Sequence, residues 1–85
     1  MNDNKLYASM DVLLKYGIVK TYIIAFLLDK DTYTSNVDCF ARKLSNVACF
    51  GHAKESIRDL IKMGVIERSV YDGRTSRFSI NKKNL

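Results

Sequence analysis

Apolar positions change their spacing along the chain, and the changes divide it into elements. Val19, Tyr22, Ile23, Phe26 and Leu27 recur at helical spacing, and Ile24, Ala25 and Leu28 fill the other side. This predicts a helix from about Ile18 to Leu28 that is apolar almost all round. Ahead of it, Met10, Leu13 and Leu14 share one side of a short helix running from Ser9 or Met10 to Lys15. Gly17 stops that helix, because glycine tolerates the left-handed backbone found at helix ends. Leu6–Ala8 reads as a short strand with Leu6 and Ala8 inward, and residues 29–36, polar and without alternation, read as a loop. Val37, Phe40, Ala41 and Leu44 then form an i, i+3, i+4, i+7 set, which predicts a helix over Val37–Ser45 with Asp38, Arg42, Lys43 and Ser45 outside. Ser35, with Asp38 three residues on, resembles a capping box at its start.

Asn46–Gly51 reads as a turn in which Val47 and Phe50 plug the gap between helices. The next helix, His52–Met63, buries Ala53, Ile57, Leu60 and Ile61 and turns His52, Lys54, Glu55, Ser56, Arg58, Asp59 and Lys62 outward. Gly64 caps it. From there the period shortens to two, giving a basic hairpin of Val65–Tyr71, a loop at Asp72–Gly73–Arg74, and Thr75–Asn81. A two-residue Asp72–Gly73 turn would put Ile66 on the face opposite Phe78 and Ile80. A three-residue loop pairs Tyr71 with Thr75, so that Ile66 faces Ile80, Arg68 faces Phe78 and Val70 faces Ser76. All large aliphatics except Val65 then share one face, and burial favours this register because a one-residue slip flips every side chain. Gly73 is then the middle residue of the loop, which suits the usual glycine position less neatly, so a longer loop of the same parity stays open.

A chain of 85 residues with 47% apolar content builds one domain, 1–85, with a modest core, and the ends at 1–4 and 82–85 are expected to fray. There is no proline and no Gly/Ser linker. The longest strongly apolar run, Ile23–Leu28, is far below the ~20 residues that cross a bilayer, so no membrane association is expected. Two cysteines and no signal peptide place the chain in a reducing cytoplasm, that of the host cell if the source is viral. Cys39, Cys49 and His52 match no zinc spacing and lack a fourth ligand. One histidine, no glycine-rich phosphate loop and no paired carboxylates argue against an enzyme, a cofactor or a small-molecule substrate. The net charge of +5 and the pI near 9.4 suit a polyanionic partner, although such a charge also serves solubility.

Helix, turn, helix, then a two-stranded ribbon with arginines near its tip is the order of a winged helix. The expected class is therefore α+β, with three to four helices and a C-terminal β-hairpin wing. A helix fits the DNA major groove, and a ribbon beside it can reach phosphates or the minor groove. On the last helix, His52, Lys54, Glu55 and Arg58 lie near the N-terminal end of the outer face, with Lys54 and Arg58 one turn apart. Arginine grips guanine through two hydrogen bonds, and a glutamate accepts from a cytosine amine. Lys62, further along, suits a phosphate, as do Arg42 and Lys43 on the preceding helix. The hairpin adds Arg68, Arg74 and Arg77, with Arg74 at the tip aimed at phosphate or minor groove. Tyr71 is placed to stack on sugar or donate to phosphate. For each of these residues alone, a solvated surface charge is the plainer alternative.

From Leu14 to Asn81, about four-fifths of the chain, the sequence resembles winged helix-turn-helix domains of phage, plasmid and viral proteins, most nearly the replication-initiator or replisome-organiser type. The resemblance rests on the hydrophobic helix Val19–Leu28, Phe40–Ala41–Arg42–Lys43–Leu44, Leu60–Ile61–Lys62–Met63–Gly64–Val65–Ile66, and the return Gly73–Arg74–Thr75–Ser76–Arg77–Phe78. The longer turn at Asn46–Gly51 and the acidic Glu55 and Asp59 depart from that pattern. The resemblance implies sequence-specific binding of double-stranded DNA by a small transcriptional regulator. Alternatives are an accessory protein of replication initiation, or a winged helix used for protein–protein interaction. A homodimer through the Val19–Leu28 helix would double the contact area and set half-sites about 34 Å apart.

Overall fold

The structure is a computed structural model and describes residues 13–70 and 72–84. The expected strand at Leu6–Ala8, most of the expected helix at 9–15, the frayed ends 1–4, and Tyr71 lie outside the described residues. Residues 13–16 are helical and end at Gly17, whose φ of 86° needs a residue without Cβ strain. Gly17 also starts the next helix, α1 (Ile18–Lys30), and its carbonyl accepts from both the backbone N–H and the hydroxyl of Thr21.

Ile23, Ile24 and Leu27 of α1 are fully buried, and Val19, Phe26 and Leu28 pack partly against the same core. The domain thus covers most of a helix that is apolar nearly all round, leaving Ile18 and Tyr22 exposed. Asp31 follows with φ 66° and ψ −59°, and Thr32 N–H donates to the Lys30 carbonyl at 2.7 Å. This γ-turn reverses the chain.

The stretch expected to be a loop contains a strand, β1 (Tyr33–Ser35). It pairs antiparallel with β3 (Ser76–Ile80), Tyr33 opposite Phe78 and Ser35 opposite Ser76. Its three residues are too few to show alternation, and its partner lies some forty positions away in sequence. The strand is fixed instead by Tyr33, whose ring sits 5.1 Å from Phe26 and 5.0 Å from Phe40. Phe40 in turn lies 5.3 Å from Phe78, so one aromatic cluster joins α1, β1, β3 and the second helix, α2 (Val37–Lys43). The N-cap of α2 is Asn36, whose side chain accepts from Cys39 N–H at 2.7 Å. Asn36 thus takes the role expected of Ser35, since it stands at the position whose side chain reaches an unpaired first-turn amide. The helix ends two residues early, at Lys43, and Leu44–Val47 form hydrogen-bonded turns.

Helix α3 (Phe50–Lys62) begins two residues before the expected start, with Cys49 as N-cap. Ala53, Ile57 and Leu60 are buried as expected. Ser56, expected outside, is buried, and Ile61 is only half-buried, because the core stripe lies further toward the Ser56 side. The helix ends in a Schellman motif at Gly64 (φ 80°): Val65 N–H donates to the Leu60 carbonyl and Gly64 N–H to that of Ile61. This brings Val65 down onto the core beside Leu60, so Val65 is buried rather than excluded from the apolar set.

Strand β2 (Ile66–Val70) and β3 form the hairpin in the three-residue-loop register, Ile66 opposite Ile80, Arg68 opposite Phe78 and Val70 opposite Ser76. The sheet order is β1-β3-β2. Ile66 and Phe78 are buried, whereas Val70, on the same face, is exposed because the helices end before it. The tail expected to fray closes a 3-10 turn at Lys82–Asn84, where the Asn84 side-chain amide donates to the Gly64 carbonyl at 2.8 Å. The protein is thus α+β, with helices packed on a small three-stranded antiparallel sheet. Among the described residues no helix is long and apolar enough to cross a membrane.

Candidate nucleic-acid interface

Helix α3 packs against α1, α2 and β2, and beyond its exposed first turn, Phe50–His52, what remains uncovered is a stripe one residue wide per turn. Gly51, Glu55, Arg58 and Lys62 follow each other at i, i+4, i+7 and i+11, and all four are exposed. They stand opposite the buried Ala53, Ile57 and Leu60. Arg58 and Lys62 put two cations on this stripe, and Glu55 puts one carboxylate between them and the helix start.

Each flank of the stripe carries an ion pair that ties α3 to a neighbour. Toward α2, Lys54 Nζ lies 2.9 Å from Asp38 Oδ1. The hydrogen bond from Lys54 holds the Asp38 carboxyl below its ordinary range against an opposing desolvation, and the charges of Lys54, Arg42 and Arg58 add smaller contributions in the same direction as the hydrogen bond. Toward α1, Lys20 Nζ lies 3.4 Å from Asp59 Oδ2. His52 and Glu55 open on that side into a cleft of about 400 Å3 shared with Tyr16–Lys20 and floored by the buried Ser56.

Phe50 is the site residue that sequence reasoning misplaced. Expected to plug the helix–helix gap, it is 41% exposed at the first position of α3. Arg42 Cζ and Lys54 Nζ each lie 5.5 Å from its ring centroid. The i, i+4 spacing of Phe50 and Lys54 was the available signal, but it becomes meaningful only once the helix is known to start at Phe50. Arg42, Phe50, Lys54 and Asp38 therefore form one cluster, and Lys43 is exposed at the end of α2.

The hairpin arginines do not share a face. Strand alternation with Ser76 and Phe78 buried turns Arg77 to the outer side of the sheet. Arg68 lies on the inner side, its guanidinium 5.9 Å from the Phe78 centroid and its Nε donating to Ser76 Oγ at 2.9 Å. Arg74 is exposed in the loop. There the Asp72 carboxylate accepts from Arg74 N–H, Thr75 N–H and the Thr75 hydroxyl. Those hydrogen bonds, led by that from Arg74, hold the Asp72 carboxyl below its ordinary range and fix the loop that presents Arg74.

The arrangement offers an exposed helix face with cations at its rim and a loop arginine held by an Asx-type turn. Among the described residues no three His, Cys, Asp or Glu side chains gather to hold a metal ion, and Cys39 and Cys49 are exposed free thiols. Comparison of the chain with protein-family models, curated proteins and solved structures finds no match.

Proposed function

We propose that the protein is a winged helix that binds double-stranded DNA sequence-specifically and serves as a small regulator, without catalysis of its own. The observation that carries this reading is the outer stripe of α3. A helix held on three sides by its own domain keeps one cationic stripe in water, the shape and charge a major groove accepts. The element order, with β2 and β3 following α3 and β1 completing the sheet, supports the winged-helix layout. In this reading Arg58 meets base edges and Lys62, Arg42 and Lys43 meet phosphates. Arg74 contacts the adjoining backbone or minor groove. Exposed Leu14, Ile18 and Tyr22 supply an apolar surface for pairing two copies through α1.

One observation favours a second reading, a winged helix that docks a protein. Lys54 is already paired with Asp38, and Glu55 stands on the outer stripe, so part of the face is charge-balanced before any partner arrives.

The test is selection of bound duplex from a random pool, followed by titration against salt. DNA binding predicts an enriched site and a logarithmic slope of about −0.9 for each phosphate contact. Arg74→Ala should weaken all sequences alike, and Arg58→Ala should also relax base preference. No enrichment with a flat salt response would leave the protein-docking reading.

A further inference from the structure

We propose that Phe50 reads thymine methyl groups in the major groove, a role that rests on the DNA-binding reading above. Phe40 and Phe78 are fully buried and Phe26 is half-buried, whereas Phe50 holds an apolar ring in water at the start of α3. The core of α3 is filled by Ala53, Ile57 and Leu60, and the Phe50 ring stands outside it, against Arg42 and Lys54. Leaving the ring exposed forgoes hydrophobic free energy that a partner can recover.

The chemistry of that partner follows from the surroundings. Arg42 and Lys54 both lie 5.5 Å from the ring centroid, so whatever covers Phe50 must be apolar at the contact and anionic around it. Duplex DNA meets both conditions at one kind of place. Its base faces are stacked on each other and closed to a side chain. Its major-groove edges are otherwise polar, and the thymine 5-methyl is the apolar group among them, with phosphates along the groove walls. In helix-turn-helix domains the N-terminal residues of the groove-bound helix are those that contact base edges. Phe50 is the first residue of α3, and Arg42 and Lys54 are placed to take the neighbouring phosphates, Lys54 exchanging its pair with Asp38 for one of them.

The test uses the full chain and the duplex it selects. Each thymine is replaced in turn by deoxyuridine, which removes the methyl and keeps every hydrogen-bonding group. Binding should weaken about fourfold at one or two positions, the effect of one lost methyl contact. Phe50→Ala should bind the thymine duplex about as weakly and show no further loss with deoxyuridine. The ring lies outside the buried core, so this variant should fold and melt only somewhat earlier than the parent chain, and the deoxyuridine comparison, made with one folded chain on two duplexes, does not depend on that shift. The proposal is overturned, with DNA binding intact, if the selected site holds no thymine, if deoxyuridine changes nothing at any position, or if Phe50→Ala keeps the full deoxyuridine penalty. A chain that selects no duplex overturns the DNA-binding reading and this inference together.

Discussion

Lys54 Nζ and Asp38 Oδ1, 2.9 Å apart, join α2 to α3 at the edge of the stripe that α3 leaves open. The pair bridges the two helices at their solvent-exposed rim, outside the core that packs them together, and it sets a carboxylate among Lys54, Arg42 and Arg58.

That carboxylate makes stability depend on acid in a defined direction. Asp38 and Asp72 both titrate below the ordinary aspartate value of 3.8 in the folded chain. The folded state therefore binds fewer protons than the unfolded state in that interval, and what the two carboxylates contribute to stability is fully present above pH 3.8 and is lost as pH falls below it toward the lowered values. Thermal melts taken down through that pH should show a falling Tm in the parent chain. Asp38→Asn and Asp72→Asn should each fall less steeply, and equal slopes would mean that the carboxylates add nothing.

Asp38→Asn also tests what the ion pair does at the proposed interface. On the DNA-binding reading it removes a negative charge near phosphates and releases Lys54, so binding to duplex should tighten about two- to fivefold at low salt. A fluorescence titration reads this directly. Weakened binding would mean that the pair positions α3 for its partner rather than competing with it.

Phe40 is the contact on which the aromatic cluster turns, touching Phe26, Tyr33 and Phe78 from three other elements. Phe40→Ala should cost about 3–5 kcal/mol in denaturant unfolding. That is a large part of the ~5–15 kcal/mol that holds a small domain together. Amide exchange in β1 should rise first, because Tyr33 loses one of the two rings packed against it.

Asp31 and Gly64 both have positive φ, 66° and 80°, yet only one is glycine. Asp31→Gly should therefore stabilise the fold by about 1 kcal/mol, and Gly64→Ala should destabilise it by about 1–2 kcal/mol. At Gly64 an added Cβ also meets the Asn84 side-chain amide at 2.8 Å. In a double-mutant cycle, Asn84→Ala should relieve that contact and leave the backbone strain.

Arg68 tests whether a hairpin cation serves the fold or a partner. Arg68→Lys keeps the charge and loses the Nε donor to Ser76. Stability should drop by about 1 kcal/mol, with little change in duplex affinity at matched salt. A large affinity loss with unchanged stability would assign Arg68 to phosphate contact instead.

Helical periodicity set the core residues Phe40, Ala41, Leu44, Ala53, Ile57 and Leu60, which need only neighbours one turn away to share a side, while packing moved Ser56 inside and left Ile61 half-buried. Two-fold alternation fixed the hairpin register just as well, since a slip would have moved Ile66 away from Ile80. Gly17 and Gly64 announced their turns through the one residue type that takes positive φ without strain.

The rest depended on contacts between distant segments. Tyr33–Ser35 becomes a strand because β3 supplies its hydrogen bonds and Phe26 and Phe40 cover Tyr33. Phe50 stands in water between Arg42 and Lys54 because α3 starts two residues sooner than its apolar pattern suggests. Lys54 and Lys20 find their carboxylates on other helices, and Arg68 and Arg77 part to opposite sides of the sheet. A period read along one segment reports which side of that segment is apolar. Where that side is aimed, and which charges meet across it, is decided only when the segments pack.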